Sequence, residues 1–215
     1  MRVLLLASQG DEANRIADFC RVAFGEVEAH HGNWGDPLPE ICEFWRGDLV
    51  VSYCSRWIVP AYLLDRAEMA AINFHPAPPE HPGVGGLNWA LYNEETSFGV
   101  TCHHMVAKVD AGPIIATRRF PLFRNDVVSS LFARTHVHLE AMAYEILGAI
   151  ALGEQIPKSN ATWSGKARSR KELNELSEIR IDMAPEEVSR RVRATSFGRW
   201  KPSLRIGAHR FELEA

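Results

Sequence analysis

The chain predicts an α/β fold, a mostly parallel sheet with helices on both faces, followed by a short C-terminal α/β appendage. Three observations carry that expectation. Short apolar runs at residues 3–7, 48–52 and 69–74 have the length and composition of buried strands. Between the first two lies a segment of helical spacing, and Gly, Pro and Asp residues punctuate the joints. Alternating strand and helix is the pattern in which each helix carries the chain back to begin the next parallel strand.

Taken in order, residues 3–7 read as a buried strand, and residues 11–24 as a helix through Ile16, Phe19, Cys20 and Val22, stopped by Gly25. A second helix is expected around residues 38–45, then a strand at 48–52, a short helix at 60–66 and a strand at 69–74. A Pro- and Gly-rich loop follows, then a helix beginning near Leu87 and an apolar, β-branched strand over 98–106. Asn125 or Asp126 can cap a long helix running to about residue 152, with Leu131, Leu139, Met142 and Ile146 on or near one face and Gly153 as terminator. After Pro157 the composition turns polar and basic. Residues 185–194 read as a short helix with acids first and bases last, as the helix dipole prefers, and residues 203–213 as two short strands turning at Gly207. The expected division is a catalytic domain over 1–156 and an appendage over 157–215.

Composition narrows the function classes. The 215 residues are 46% hydrophobic and 24% charged, which is enough for one conventional core and argues against disorder. A net charge of −3 gives no general attraction to nucleic acid, although basic residues gather at 166–171 and 190–193. No run approaches the roughly 18 apolar residues of a membrane span, and the apolar opening is too short for a signal peptide, so a cytoplasmic location is expected. Cys20, Cys42, Cys54 and Cys102 form no CxxC pair and read as reduced thiols. His30 with His31, and His103 with His104, are adjacent residues that point to opposite faces of a strand, so no metal site is expected. The turn over residues 7–12 lacks GxGxxG spacing and places two carboxylates where a pyrophosphate would need donors, which disfavours a nicotinamide cofactor.

The chemistry concentrates between residues 72 and 115. Asn73 and His75, two apart at the end of a strand, present an amide and an imidazole to one face. Asp110 follows the 98–106 strand, and if the two strands are neighbours its carboxylate reaches the imidazole. Ligands of such sheets collect at strand carboxyl ends, where these three residues fall. His103 shares its strand face with Thr101 and Met105 and either borders the site or supports His75.

The order Asn73-x-His75-Pro76, the loop 78–83, the helix start 87–91, the strand 99–103 and Asp110-x-Gly112-x-Ile114 resembles the formyltransferases that use 10-formyltetrahydrofolate, over most of residues 1–153. The resemblance implies a Rossmann-like fold and a catalytic triad of Asn73, His75 and Asp110. It also implies that Ser55, Arg56, Trp57 and Ile58, together with Met105, Val106 and Ala107, contact the pterin. Two departures stand out. Ala77-Pro78-Pro79-Glu80 follows His-Pro where the family often has Ser-Leu-Leu-Pro, closer to the nucleotide-sugar branch than to the purine branch. Gly83, Gly85 and Gly86 replace a more polar loop and are expected to shape the acceptor pocket.

The expected reaction is formyl transfer from 10-formyltetrahydrofolate to a primary amine on a small substrate, a nucleotide-linked amino sugar first. Asn73 and His75 would hold the oxyanion and Asp110 would take the amine proton. The alternatives are phosphoribosylglycinamide or methionyl-tRNA formylation, hydrolysis of the donor to formate, and a non-catalytic folate or sugar-nucleotide binder. Residues 8–11 lack the purine enzyme's glycine-rich opening, and the short tail speaks against tRNA. The terminal strand pair offers an edge for a second copy of the chain.

Overall fold

The computed structural model describes residues 1–198 and 200–214. Its centre is a six-stranded sheet of order β2-β1-β3-β4-β5-β6, formed by Arg2–Ser8, Glu26–Gly32, Gly47–Tyr53, Ala67–His75, Ser97–His104 and Ile114–Pro121 for β1 to β6. The first four strands run parallel, while β5 and β6 are antiparallel to their neighbours.

β1 is buried on both faces, and its side chains divide the interior in two. Val3, Leu5 and Ala7 point into the larger core, shared with Ile16 and Cys20 of α1 (Asp11–Ala23). On the other face Leu4 and Leu6 meet Cys42, Trp45 and Leu63 in a smaller core. Helices therefore cover one face, and the 3-10 turn Glu40–Glu43 and the short α2 (Ala61–Leu64) cover the other. Each fully buried aliphatic side chain removes from water an area worth about 1.5–3 kcal/mol, so the period-one apolar run of β1 makes it the strand both cores depend on.

α3 (Gly86–Tyr92) starts from Gly85, whose φ of +77° is a left-handed conformation that a side chain would strain. α4 (Val128–Ala151) buries Leu131, Leu139, Met142, Ala143 and Ile146 in the larger core. Its N-cap is Val127. Asp126, one residue earlier, accepts from the Phe123 backbone N–H at 2.7 Å and the Ser130 hydroxyl at 2.8 Å, so it braces the entry to the helix without being the cap.

Three elements differ from expectation. Residues 26–32 form an edge strand that the polar sequence EVEAHHG did not reveal. The helix expected at 38–45 is only a 3-10 turn over Glu40–Glu43, entered from Pro39. β6 follows Asp110 and extends the sheet by one strand.

Beyond residue 157 the chain runs back over the six-stranded sheet's helices. α5 (Arg170–Leu176) and α6 (Pro185–Thr195) flank β7 (Glu178–Ile179), which joins β8 (Ser203–Ile206) and β9 (His209–Glu212) in a three-stranded sheet. α6 packs on α3, Ala194 enters the larger core, and Asn88 Nδ2 donates to the Ala194 carbonyl at 2.7 Å.

Candidate active site

The antiparallel pairing of β4 with β5 builds the site. It sets Asn73 opposite His103 and His75 opposite Thr101, and directly opposed residues of an antiparallel pair share a face. The Asn73 amide nitrogen accordingly lies 3.0 Å from His103 Nε2. His103 Nδ1 is 2.8 Å from the His104 carbonyl, an acceptor only, so Nδ1 carries the proton and Nε2 is free to accept the Asn73 N–H. The ring of His103 thus fixes which way the Asn73 amide points.

Asp110 arrives from the turn after β5. Its φ of +46° lies in the left-handed region, which a non-glycine residue occupies at a cost of about 1–3 kcal/mol. That turn is held closed at Gly112, where an added Cβ would sit 1.9 Å from the His104 carbonyl oxygen. The result is a carboxylate facing two imidazoles: Oδ2 is 3.6 Å from His75 Nδ1, and Oδ1 is 3.4 Å from His103 Nε2. Gly83 donates its backbone N–H to Oδ2 at 2.8 Å, with φ of +85°.

His75 Nε2 donates to the His81 carbonyl at 3.1 Å, which leaves Nδ1 toward Asp110 as the atom that gains or loses a proton. His75 is 7% exposed and Asp110 9%. Burial lowers the His75 pKa below the ordinary value of 6.5 despite the opposing pull of Asp110, so the ring is neutral at pH 7. For Asp110, burial pushes upward, but His75, His103 and the Gly83 N–H together hold the carboxyl below its usual range. The structure therefore pairs a neutral imidazole with an ionised carboxylate.

The triad opens into a cavity of about 1040 Å³. Ser55, Arg56, Trp57 and Ile58 line it from one side and Met105, Val106 and Ala107 from another, while Gly83, Gly85 and Gly86 lie along the same wall. Within the loop at 55–58, Trp57 is anchored. Its indole N–H reaches the Asp36 and Pro37 carbonyls, and its ring fills the space over Gly32, where a Cβ would come within 2.1 Å. Cys54 also lines the cavity, yet burial raises its thiol to about 12, so it is no nucleophile at neutral pH.

Several site residues were not anticipated. The His81 carbonyl is one. Trp163 is another: its indole N–H donates to the Gly112 carbonyl at 2.8 Å, and its ring meets His75 and His103 edge-on, with centroids 5.8 and 5.0 Å apart. Ser164 and Arg168 donate to the Pro79 and Pro82 carbonyls, and Val84 donates to that of Arg168. Phe132 and His136 of α4 and Phe197 after α6 complete the far wall. Among the described residues no group of three or more His, Cys, Asp or Glu side chains is arranged to hold a metal.

Known proteins share this architecture. Residues 42–146, which contain Asn73, His75 and Asp110, match the model of the formyl transferase family. An uncharacterised Mycobacterium tuberculosis protein assigned as a sugar N-formyltransferase superposes with a TM-score of 0.80 at 23% identity, covering 100% of this chain and 97% of its own. A sugar N-formyltransferase from a Shewanella species gives 0.79 at 18% identity, covering 100% and 97%. HypX from Aquifex aeolicus, solved with tetrahydrofolic acid, gives 0.72 at 21% identity over 96% of this chain and 36% of that one. At these identities the likeness is one of fold. Residues 42–146 thus match the formyl transferase family model, and the whole chain shares the fold of these proteins.

Proposed function

We propose that the protein transfers a formyl group from 10-formyltetrahydrofolate to a primary amine of a small substrate, most simply a nucleotide-linked amino sugar. The observation that carries this reading is the buried neutral imidazole of His75 beside the ionised Asp110, with the Asn73 amide on the same strand face. The sugar N-formyltransferases that share the fold support the choice of acceptor class.

Attack of an amine on a formyl carbon produces a tetrahedral adduct with a negative oxygen and a surplus proton on nitrogen. One N–H of Asn73 is engaged by His103, and the second is available to the oxyanion. One such donor typically accounts for roughly 10²–10³ in rate. His75 accepts the amine proton at Nδ1, where Asp110 stabilises the imidazolium. The same nitrogen then returns the proton to the departing folate nitrogen. With Nε2 already given to the His81 carbonyl, His75 serves better as proton carrier than as the oxyanion donor expected from sequence.

The walls fit a reduced pterin with its aryl tail. Residues 105–107 line the cavity where the pterin edge would lie, and Ile58 and Val106 offer exposed apolar surface. The test is to incubate the protein with 10-formyltetrahydrofolate and a panel of nucleotide-linked amino sugars, following tetrahydrofolate by absorbance and formylated product by mass spectrometry. Acceptor-dependent turnover is expected. Formate release without acceptor would make the protein a hydrolase, and no consumption of donor at all would end the proposal.

A further inference from the structure

Three residues far apart in sequence meet at the mouth of the cavity: Trp34 after β2, Arg56 after β3 and Arg170 at the start of α5. The guanidinium carbons of Arg56 and Arg170 lie 5.2 and 5.3 Å from the centroid of the same Trp34 ring. The two positive charges are therefore about 10 Å apart or less, close to one screening length at physiological salt.

Neither guanidinium has a carboxylate partner among the described residues. Many other arginines, Arg2, Arg15, Arg118, Arg119, Arg134, Arg190 and Arg191 among them, do pair with an acid, whereas these two share one indole at the cavity instead. Helix stability does not explain Arg170 either, since a cation in the first turn opposes the helix dipole. Partial burial, and then the Arg56 charge, lower its pKa, so its surroundings disfavour the cation the side chain still carries. Two unpaired like charges gathered over one indole at a cavity mouth are an arrangement an anion relieves, and guanidinium forks match phosphate and carboxylate oxygens.

We propose that Arg56 and Arg170, aligned on Trp34, clamp an oxyanion group of a bound substrate, either the diphosphate of a nucleotide-linked acceptor or the glutamyl carboxylates of the folate tail. This names a ligand contact within the site of the formyl transfer reading and rests on it for the identity of the ligand. The anion affinity itself does not.

The experiment is calorimetric titration of the full chain and its Arg170→Gln and Arg170→Lys variants, first with inorganic pyrophosphate at low and high salt. Wild type is expected to bind with an affinity that falls as salt rises. Arg170→Gln should weaken that binding roughly tenfold, and Arg170→Lys by less, because the charge remains without the fork. Equal pyrophosphate affinity in wild type and Arg170→Gln overturns the clamp. The same proteins are then titrated with a nucleoside diphosphate and with 5-formyltetrahydrofolate carrying one or several glutamyl residues. A loss confined to the nucleotide assigns the clamp to the acceptor, and loss of the polyglutamate advantage assigns it to the donor. If pyrophosphate binding responds to Arg170→Gln but neither organic ligand does, the site holds an adventitious ion only and the proposal falls. Arg170-dependent binding of both pyrophosphate and the nucleoside diphosphate, in a protein that neither binds folate nor transfers formyl, would leave the clamp standing and remove the proposed function.

Discussion

Asp110→Asn is the perturbation that separates charge from shape at this site. Asparagine keeps the side-chain volume and an oxygen able to accept the Gly83 N–H at 2.8 Å, so the turn should hold and stability should change by no more than about 1 kcal/mol. What is lost is the negative charge 3.6 Å from His75 Nδ1. Unit charges at that distance, with an effective dielectric of about 20, interact by about 4–5 kcal/mol. If His75 carries the amine proton in the transition state, that energy stabilises the barrier top and not the neutral resting ring. The expected result is a fall in kcat of roughly 10³, inside the range of about 10²–10⁴ typical of general acid–base catalysis. The assay compares tetrahydrofolate release by wild type and variant under saturating donor and acceptor, with melting temperature and folate binding measured in parallel. Turnover within tenfold of wild type, in a variant that melts normally, would refute the charge pairing as the source of catalysis.

The remaining predictions concern pH, packing and support. Since burial keeps the His75 pKa below 6.5 and Asp110 is ionised, kcat/KM should be flat through neutrality and fall only on acidification below that value. In Asp110→Asn the acid limb should move to still lower pH, because the carboxylate that opposed desolvation is gone; a profile that instead lost activity as pH rose through 7 would show a required imidazolium. The pKa values of His75, His104, His136 and His138 are all lowered by burial in the folded state, so the unfolded chain takes up these protons first. Their contribution to stability is complete above pH 6.5 and declines below it, to be read as a falling melting temperature. Gly112→Ala forces a methyl to 1.9 Å from the His104 carbonyl and should cost about 1–3 kcal/mol with a displaced Asp110, measured by urea melts and turnover. Trp163→Ala frees the Gly112 carbonyl and uncovers the edges of His75 and His103. It should lower kcat roughly tenfold, with Trp163→Phe intermediate; unchanged kcat in both variants would remove Trp163 from the support of the site.

Much of the site was legible because its parts lie near one another in sequence. Asn73 and His75 sit two apart on one strand, where the period of two places them together. Asp110 could be connected to them only on the condition that its preceding strand paired with β4, and the antiparallel register His103 opposite Asn73 meets that condition. His103 was left between two roles, and its hydrogen bond to the Asn73 amide gives it a positioning one. The missed edge strand has a plain cause. β2 carries two acids and two adjacent histidines at a sheet edge, where exposure removes the apolar signal, and the apolar residues near 38–45 close only a single 3-10 turn.

Local pattern in the chain thus determined the α/β class, the strands that end in the triad, the glycines of the loop beside it and the family it resembles. Those features depend on near neighbours and on apolar periodicity, both written directly in residue order. Only the folded molecule decided that His75 is neutral, that the His81 carbonyl holds its Nε2 proton, and that Trp163 and Arg170 come from beyond residue 157 to the same cavity. A proton's place depends on burial and on partners brought from distant segments, and no spacing along the chain specifies which ones will arrive.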